Sequence, residues 1–157
     1  MKKKILIDNL LKIVNKNCII SNNDDLSKYN KDWRGFHNNK SLCVIFPKTT
    51  KQVSKILKFC HKKNIKVVPQ SGNTSLTGAA VPSKNYFEII VNLNKMNKIL
   101  LIDQENMLIN VESGVILDRL KTVVDEKNLY FPLSLSSSGS SLIGGNISTN
   151  AGGINVL

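Results

Sequence analysis

Apolar residues in this chain fall in short runs separated by long polar stretches, and their spacing alternates between helical and strand-like. Near the start, Leu6, Leu10, Ile13 and Val14 lie on one side of a 3.6-residue repeat, which predicts a helix over residues 3–16. Residues 21–40, SNNDDLSKYNKDWRGFHNNK, are polar and irregular and are expected to form a long loop. LCVIFP (42–47) is a fully apolar run ended by Pro47, as expected of a buried strand. Val53, Ile56, Leu57 and Cys60 then recur at helical spacing behind Thr49 or Thr50, either of which can cap the helix. IKVVPQ (65–70) is a second buried run, so residues 42–70 predict a β-α-β unit with a parallel pair.

In the second half, FEIIVNL (87–93), KILLI (98–102) and MLINVE (107–112) are strand-like. DQEN separates the last two and predicts a hairpin. Ile116, Leu117, Leu120, Val123 and Val124 give one apolar face to a helix within residues 114–128. LYFPLSL then leads into SSSGSSLIGGNISTNAGGINVL (136–157), which holds five of the nine glycines. Parallel and antiparallel signals together predict an α+β fold. The expected organisation is an N-terminal helix and loop over 1–40 followed by one domain over 41–157.

Composition narrows the function classes. The 157 residues suffice for one ordinary core, with 41% hydrophobic and 21% charged residues. No apolar run approaches the ~18 residues of a membrane-spanning helix. The opening MKKKILIDNLLKIV has a basic start, but Asp8, Asn9 and Lys12 interrupt the apolar region that a signal peptide needs. Cys18, Cys43 and Cys60 are odd in number and irregularly spaced, which predicts free thiols, no zinc site and a cytoplasmic setting. The net charge of +11 comes almost wholly from scattered lysines, since only Arg34 and Arg119 are arginines. Without Arg–aromatic clustering, that charge is read as a solvated surface, not a nucleic-acid site. The chain also carries twenty asparagines, which accompany the lysines as a general bias.

Two polar, small-residue stretches carry the candidate chemistry. PQSGNTSLTG (69–78) follows a strand where a helix would ordinarily begin. Its glycines permit unusual backbone angles, and successive backbone N–H groups in such a turn can cradle an anion such as a diphosphate. It is neither a Walker loop nor a GxGxxG fingerprint, and on spacing alone a plain strand-to-loop connection is the favoured explanation. In the second stretch, GGN (144–146) and NAGG (150–153) surround ISTN, where small residues would let the backbone touch a flat ligand. Close helix–strand packing is the competing explanation.

Together, PQSGNTSLTGAAVP and FPLSLSSSGSSLIGGNISTNAGGINVL resemble the two FAD-binding segments of the flavin dehydrogenases related to vanillyl-alcohol oxidase, the PCMH type. Within that group the chain looks most like the D-2-hydroxyacid dehydrogenases, which include D-2-hydroxyglutarate and D-lactate dehydrogenases and the glycolate oxidase flavin subunit. KDWRGF (31–36) and FPKTTKQVSKILKFC (46–60) resemble the segments that precede the first loop, so the resemblance runs from about Asp32 to Leu157.

The resemblance implies an FAD-binding domain of two α/β subdomains, C-terminally incomplete, with non-covalent FAD between them. Pro69, Gln70, Ser71, Gly72, Asn73, Thr74, Ser75, Leu76 and Gly78 would cradle the diphosphate. Pro132, Gly139, Ser140, Gly144, Gly145, Asn146, Thr149, Asn150, Ala151 and Gly152 would line the adenosine and flavin sides. Ser71 and Ser75 stand where the family commonly has glycine, at a cost on the order of 1 kcal/mol each if those positions require positive φ. Ser134-Leu135-Ser136 replaces a common Asp-Leu-Gly, and Ala79 replaces a second glycine. His37 and His61 are the only histidines; the first is read as solvated and the second as a helix-end contact. No catalytic or metal-binding residue is assigned. The expected function is the FAD-binding portion of a flavin-dependent D-2-hydroxy acid oxidoreductase. The alternative is an inactive relic or one piece of a split enzyme whose other half carries the substrate cap.

Overall fold

The computed structural model describes residues 3–84 and 87–155. Met1, Lys2, Asn85 and Tyr86, and Val156 and Leu157 at the end of the second stretch, lie outside them. The elements in order are α1 (Lys3–Leu10), β1 (Ile19–Ile20), α2 (Asn23–Asn30), β2 (Val44–Ile45), α3 (Thr50–Lys62), β3 (Lys66–Gln70), β4 (Glu88–Asn92), β5 (Ile99–Asp103), β6 (Leu108–Val111), α4 (Leu117–Asp125) and α5 (Ile143–Ser148).

The first unit is built on a four-stranded sheet in the order β1-β2-β4-β3. β4 pairs in parallel with both β2 and β3, and β1 closes the edge antiparallel to β2. The expected β-α-β unit forms, but its strands are not neighbours: β4 inserts between them. All five β4 residues are buried, as suits a central parallel strand with both faces covered. Thr49 caps α3 by accepting from the Gln52 N–H at 3.2 Å, and Gln52 Oε1 accepts from the Lys48 N–H at 2.7 Å.

Residues 1–40 are more ordered than their composition predicts. α1 stops at Leu10, short of the expected residue 16, yet Leu6, Leu10 and Val14 are all buried. The long loop contains α2. Asn22 caps it by accepting from the Asp25 N–H at 2.9 Å, and Asp24 and Asp25 sit in its first turn. Leu6, Leu10 and Leu26 share one core with Val44, Ile45, Ile56, Ile89 and Ile90, so the N-terminal segment is part of the first unit.

A smaller second unit follows. β5 and β6 form the expected hairpin, whose turn is tightened by Asp103 accepting from the Asn106 backbone at 3.0 Å and side chain at 2.8 Å. One face of the hairpin packs with α4 around Val115, Leu120, Val124 and Ile143. Ile116, expected on the buried face of that helix, is exposed.

The abundance of asparagine acquires a structural use. Asn64, Asn128 and Asn150 have φ near 50° and end α3, α4 and α5. After α3, the Asn64 N–H bonds to His61 O and the Ile65 N–H to Cys60 O, the paired bonds of a left-handed helix ending. The bonds Asn128 to Asp125 and Leu129 to Val124 repeat the pattern after α4. Asparagine tolerates this conformation better than other side chains and takes the place glycine usually fills.

Two outcomes follow. Leu10→Ala, at a fully buried site, is expected to lower unfolding free energy in a urea titration by about 2–5 kcal/mol. An N-terminal appendage would show no such loss. Burial pushes the Cys43 thiol up to about 12, an effect partly offset by Lys3, and the Cys60 thiol up to about 11. Both thiols are therefore expected to resist a disulfide reagent at pH 8 until the chain is unfolded. Because the folded chain holds these protons longer, this stabilisation is full below the ordinary thiol value of 9.0 and is lost as pH rises through 11 to 12.

Candidate functional site: a cleft between the two units

Glycines bring the two units into contact. A Cβ at Gly72, in the first loop, would overlap the Ser140 carbonyl of the second unit. A Cβ at Gly145 would lie 2.9 Å from the Ser71 side chain. At the other end of the seam, Gly114 sits beneath the carbonyls of Leu93 and Met96 and donates to the Met96 oxygen at 2.7 Å. Side chains at these positions would hold the units apart.

Between the units lies a cleft of about 820 Å³, within the usual range for small-molecule sites. Its walls are Lys28 and Tyr29 of α2, the following Lys31–Asp32–Trp33, residues 70–73, Asn92, Asn94, Lys95 and Asn97, then Gly114, Ile116, Arg119, Ser140 and Leu142. β3 and β4 are parallel, and their carboxyl ends, Gln70 and Asn92, both reach it, where open α/β sheets characteristically bind ligands.

A buried polar network fixes the floor. Gln70 is 1% exposed. Its Nε2 donates to Tyr29 O at 2.9 Å and Ala80 O at 2.8 Å, while its Oε1 accepts from Asn92 Nδ2 at 3.0 Å. Asn92 Nδ2 also donates to Ser71 O, and Asn92 Oδ1 accepts from the Asn94 N–H. Asn73 Nδ2 donates to Lys31 O at 2.9 Å, tying the first loop to the segment after α2.

The loop itself is a bank of donors. Among the described residues, the backbone N–H groups of residues 72–76 find no acceptor within the protein. Its positive φ angles fall on Asn73 (53°) and Gly78 (76°), not on Ser71 or Ser75. The serine replacements therefore carry no left-handed backbone strain. Lys28, Lys31, Lys95 and Arg119 line the cleft, and Asp32 is the one carboxylate among the described residues of its walls. Arg119 is held by donating to Asn97 O at 3.0 Å. Asp32 Oδ2, Asn73 Oδ1 and Asn94 Oδ1 are buried acceptors without a hydrogen-bond partner.

Of the residues singled out from sequence, Gln70, Ser71, Gly72, Asn73 and Ser140 line this cleft. Pro69 lies in β3 opposite Val91, while Thr74 and Ser75 are half-buried and Leu76 is exposed along the loop. Gly78 lies against the ring of His37, which is thus an exposed neighbour of the loop and not merely a solvated residue. Pro132 and Gly139 are exposed. GGNIS, expected to bring backbone against a flat ligand or to pack a helix closely, forms the short helix α5. Gly144 and its N–H pack on Ser113, and Asn146 is buried. Thr149 Oγ1 turns back to Gly145 O at 2.9 Å, and Asn150 and Ala151 close the helix. A Cβ at Gly152 would meet nothing.

The residues around α2 and the exit of β4 were not anticipated as site residues. The Asn22–Asp25 cap signalled α2, but too few apolar positions follow to mark a helix. Asn92 and Asn94 were findable, because they leave β4 at the same sheet end as Gln70.

A family model described as an FAD binding domain matches residues 41–157. The chain belongs to this family of FAD-binding domains. It is 40% identical to the mitochondrial D-2-hydroxyglutarate dehydrogenase of Arabidopsis thaliana over 92% of its own length and 26% of the relative's. It is 35% identical to the D-2-hydroxyglutarate dehydrogenase of Stutzerimonas stutzeri over 100% and 33%. The chain thus spans about a quarter to a third of the length of these relatives. A solved alkyldihydroxyacetonephosphate synthase superposes with a TM-score of 0.84 at 18% identity, covering 94% of this chain and 29% of that one, a likeness of fold. The FAD-binding domain has the two-unit α+β architecture expected from the resemblance.

FAD is the family's cofactor, and the cleft suits it. Free amides and four cations match an anionic diphosphate, and the unpartnered acceptors match the hydroxyl and amine groups beside it. Gly72→Ala is expected to force Ser140 away from the first loop. It should weaken FAD binding by roughly tenfold or more and cost about 1–3 kcal/mol of stability, read by flavin titration and thermal melting.

Proposed function

We propose that this chain holds FAD between its two units as the cofactor-binding part of a flavin-dependent oxidoreductase acting on a D-2-hydroxy acid, of the D-2-hydroxyglutarate, D-lactate or glycolate type. The observation that carries the binding reading is the run of amides at residues 72–76 without a partner among the described residues, in a loop that walls a cation-lined cleft. The names of the Arabidopsis and Stutzerimonas relatives support the substrate class.

In this reading the 72–76 amides hold the diphosphate, and Lys28, Lys31, Lys95 and Arg119 balance its charge. Gln70 and Asn92 hold the loop rigid, so the donors are positioned before the cofactor arrives. Ser71, Ser140 and Gly145 close the seam behind it. When bound, the flavin supplies the acceptor for the hydride leaving the substrate carbon. Neither loop carries Cys or His, and the three cysteines are buried in the first unit, which supports a cofactor held without a covalent bond.

The groups that remove the substrate proton and select the hydroxy acid are assigned to polypeptide beyond these residues, in the same protein or in a separate half. Among the described residues no His/Cys/Asp/Glu cluster forms a metal site, and no helix is long and apolar enough to cross a membrane. The free thiols fit a reducing, cytoplasmic setting.

Titrating the purified chain with FAD is expected to quench flavin fluorescence saturably, with one FAD per chain, and to leave a yellow protein after gel filtration. A colourless protein that takes up no added FAD would sink the binding reading.

A further inference from the structure

The geometry points to Asp32 as a binding residue of the cleft, whose carboxylate accepts a hydrogen bond from a hydroxyl or amine group of the bound nucleotide. This rests on the FAD-binding reading and adds to it a residue outside the two small-residue loops.

Asp32 is 4% exposed, yet it lines the cleft. One of its oxygens holds the local turn. Oδ1 accepts from the His37 N–H at 2.9 Å, and the two backbones bond again through the Asp32 N–H and His37 O at 3.0 Å. Gly35, with φ of 78°, lets the chain turn tightly between them, its N–H donating to Asp32 O at 3.0 Å. The turn fixes the carboxylate in place. The other oxygen, Oδ2, is buried without a partner, an arrangement that costs a folded protein free energy unless something supplies the missing donor.

The neighbouring chemistry identifies that donor. Asn73 Oδ1 and Asn94 Oδ1, on other walls of the cleft, are also buried acceptors without partners. Asn73 cannot exchange its amide atoms freely, because Nδ2 is committed to Lys31 O. An unpaired carboxylate oxygen favours a donor over a phosphate oxygen beside it. It calls for O–H or N–H groups, which a sugar, a ribityl chain or an adenine amine carries. The loop at residues 72–76 thus offers amide donors to the diphosphate, and Asp32 offers an acceptor to the donor groups beside it.

The test compares Asp32→Asn and Asp32→Ala with the unmodified chain, titrated with FAD, ADP and FMN and followed by flavin fluorescence or calorimetry. Asp32→Asn can keep its oxygen on the His37 N–H while placing an NH₂ group where Oδ2 stood. Both variants are expected to lose about 10- to 100-fold in FAD affinity, with the ligand-free melt of Asp32→Asn unchanged. A loss shared with ADP places the donor on the adenosine half; a loss shared with FMN alone places it on the ribityl side. FAD affinities within twofold of the unmodified chain overturn the assignment. So does a ligand-free Asp32→Asn chain without a cooperative melt, because the carboxylate is then a structural acceptor. Failure of the unmodified chain to bind FAD removes the underlying reading as well.

Discussion

The side chain of Gln70 is the constraint on which the site depends. It is buried at the end of β3 and satisfied on both of its polar ends, by the carbonyls of Tyr29 and Ala80 and by the amide of Asn92. Those partners come from the N-terminal segment, the far end of the first loop and the central strand. One side chain therefore sets the mutual position of three segments that are remote in sequence. Losing it would leave several buried polar groups unpaired, a far larger penalty than one net hydrogen bond. Such a network, fully satisfied, makes a rigid floor, and a rigid floor allows the adjoining backbone donors to stay unpaired.

That contrast organises the cleft. Below the loop, polar groups are paired within the protein. In the loop, five successive amides have no protein partner among the described residues, and acceptors of Asp32, Asn73 and Asn94 on the cleft walls share that condition. Unpaired polar groups on the walls of one cleft are groups that a bound ligand can complete. The glycine seam serves the same end by a different route. Gly72 and Gly145 carry no catalytic group; their missing side chains let the second unit close against the first.

The asparagine content illustrates how composition misleads until geometry is known. Twenty asparagines among the lysines look like a general bias. Yet among the described residues four of the five non-glycine residues at positive φ are asparagines. Three end helices, and the fourth, Asn73, shapes the first loop. Asn150 lies among small polar residues, and its left-handed backbone ends α5. Ser71 and Ser75 look like costly departures from a glycine pattern, but the left-handed position lies between them, at Asn73.

The sequence by itself determined the elements whose signals are local. Apolar runs marked β2, β3, β4 and the β5–β6 hairpin, helical spacing with a threonine cap marked α3, and the order of the two small-residue segments identified the family. Segments with weak local signals were decided by tertiary structure. α2 has few apolar positions and is held by Leu26 in the shared core and by the hydrogen bond from Gln70 to Tyr29 O, with Asn73 bonding Lys31 O just after it. β4 inserts between β2 and β3 because its five buried residues need cover on both edges and faces, which no pairwise strand pattern reveals. The cleft is decided in the same way. Lys28, Asp32, Asn94 and Arg119 are inconspicuous along the chain, and become one site only when the seam at Gly72 and Ser140 brings the two units together.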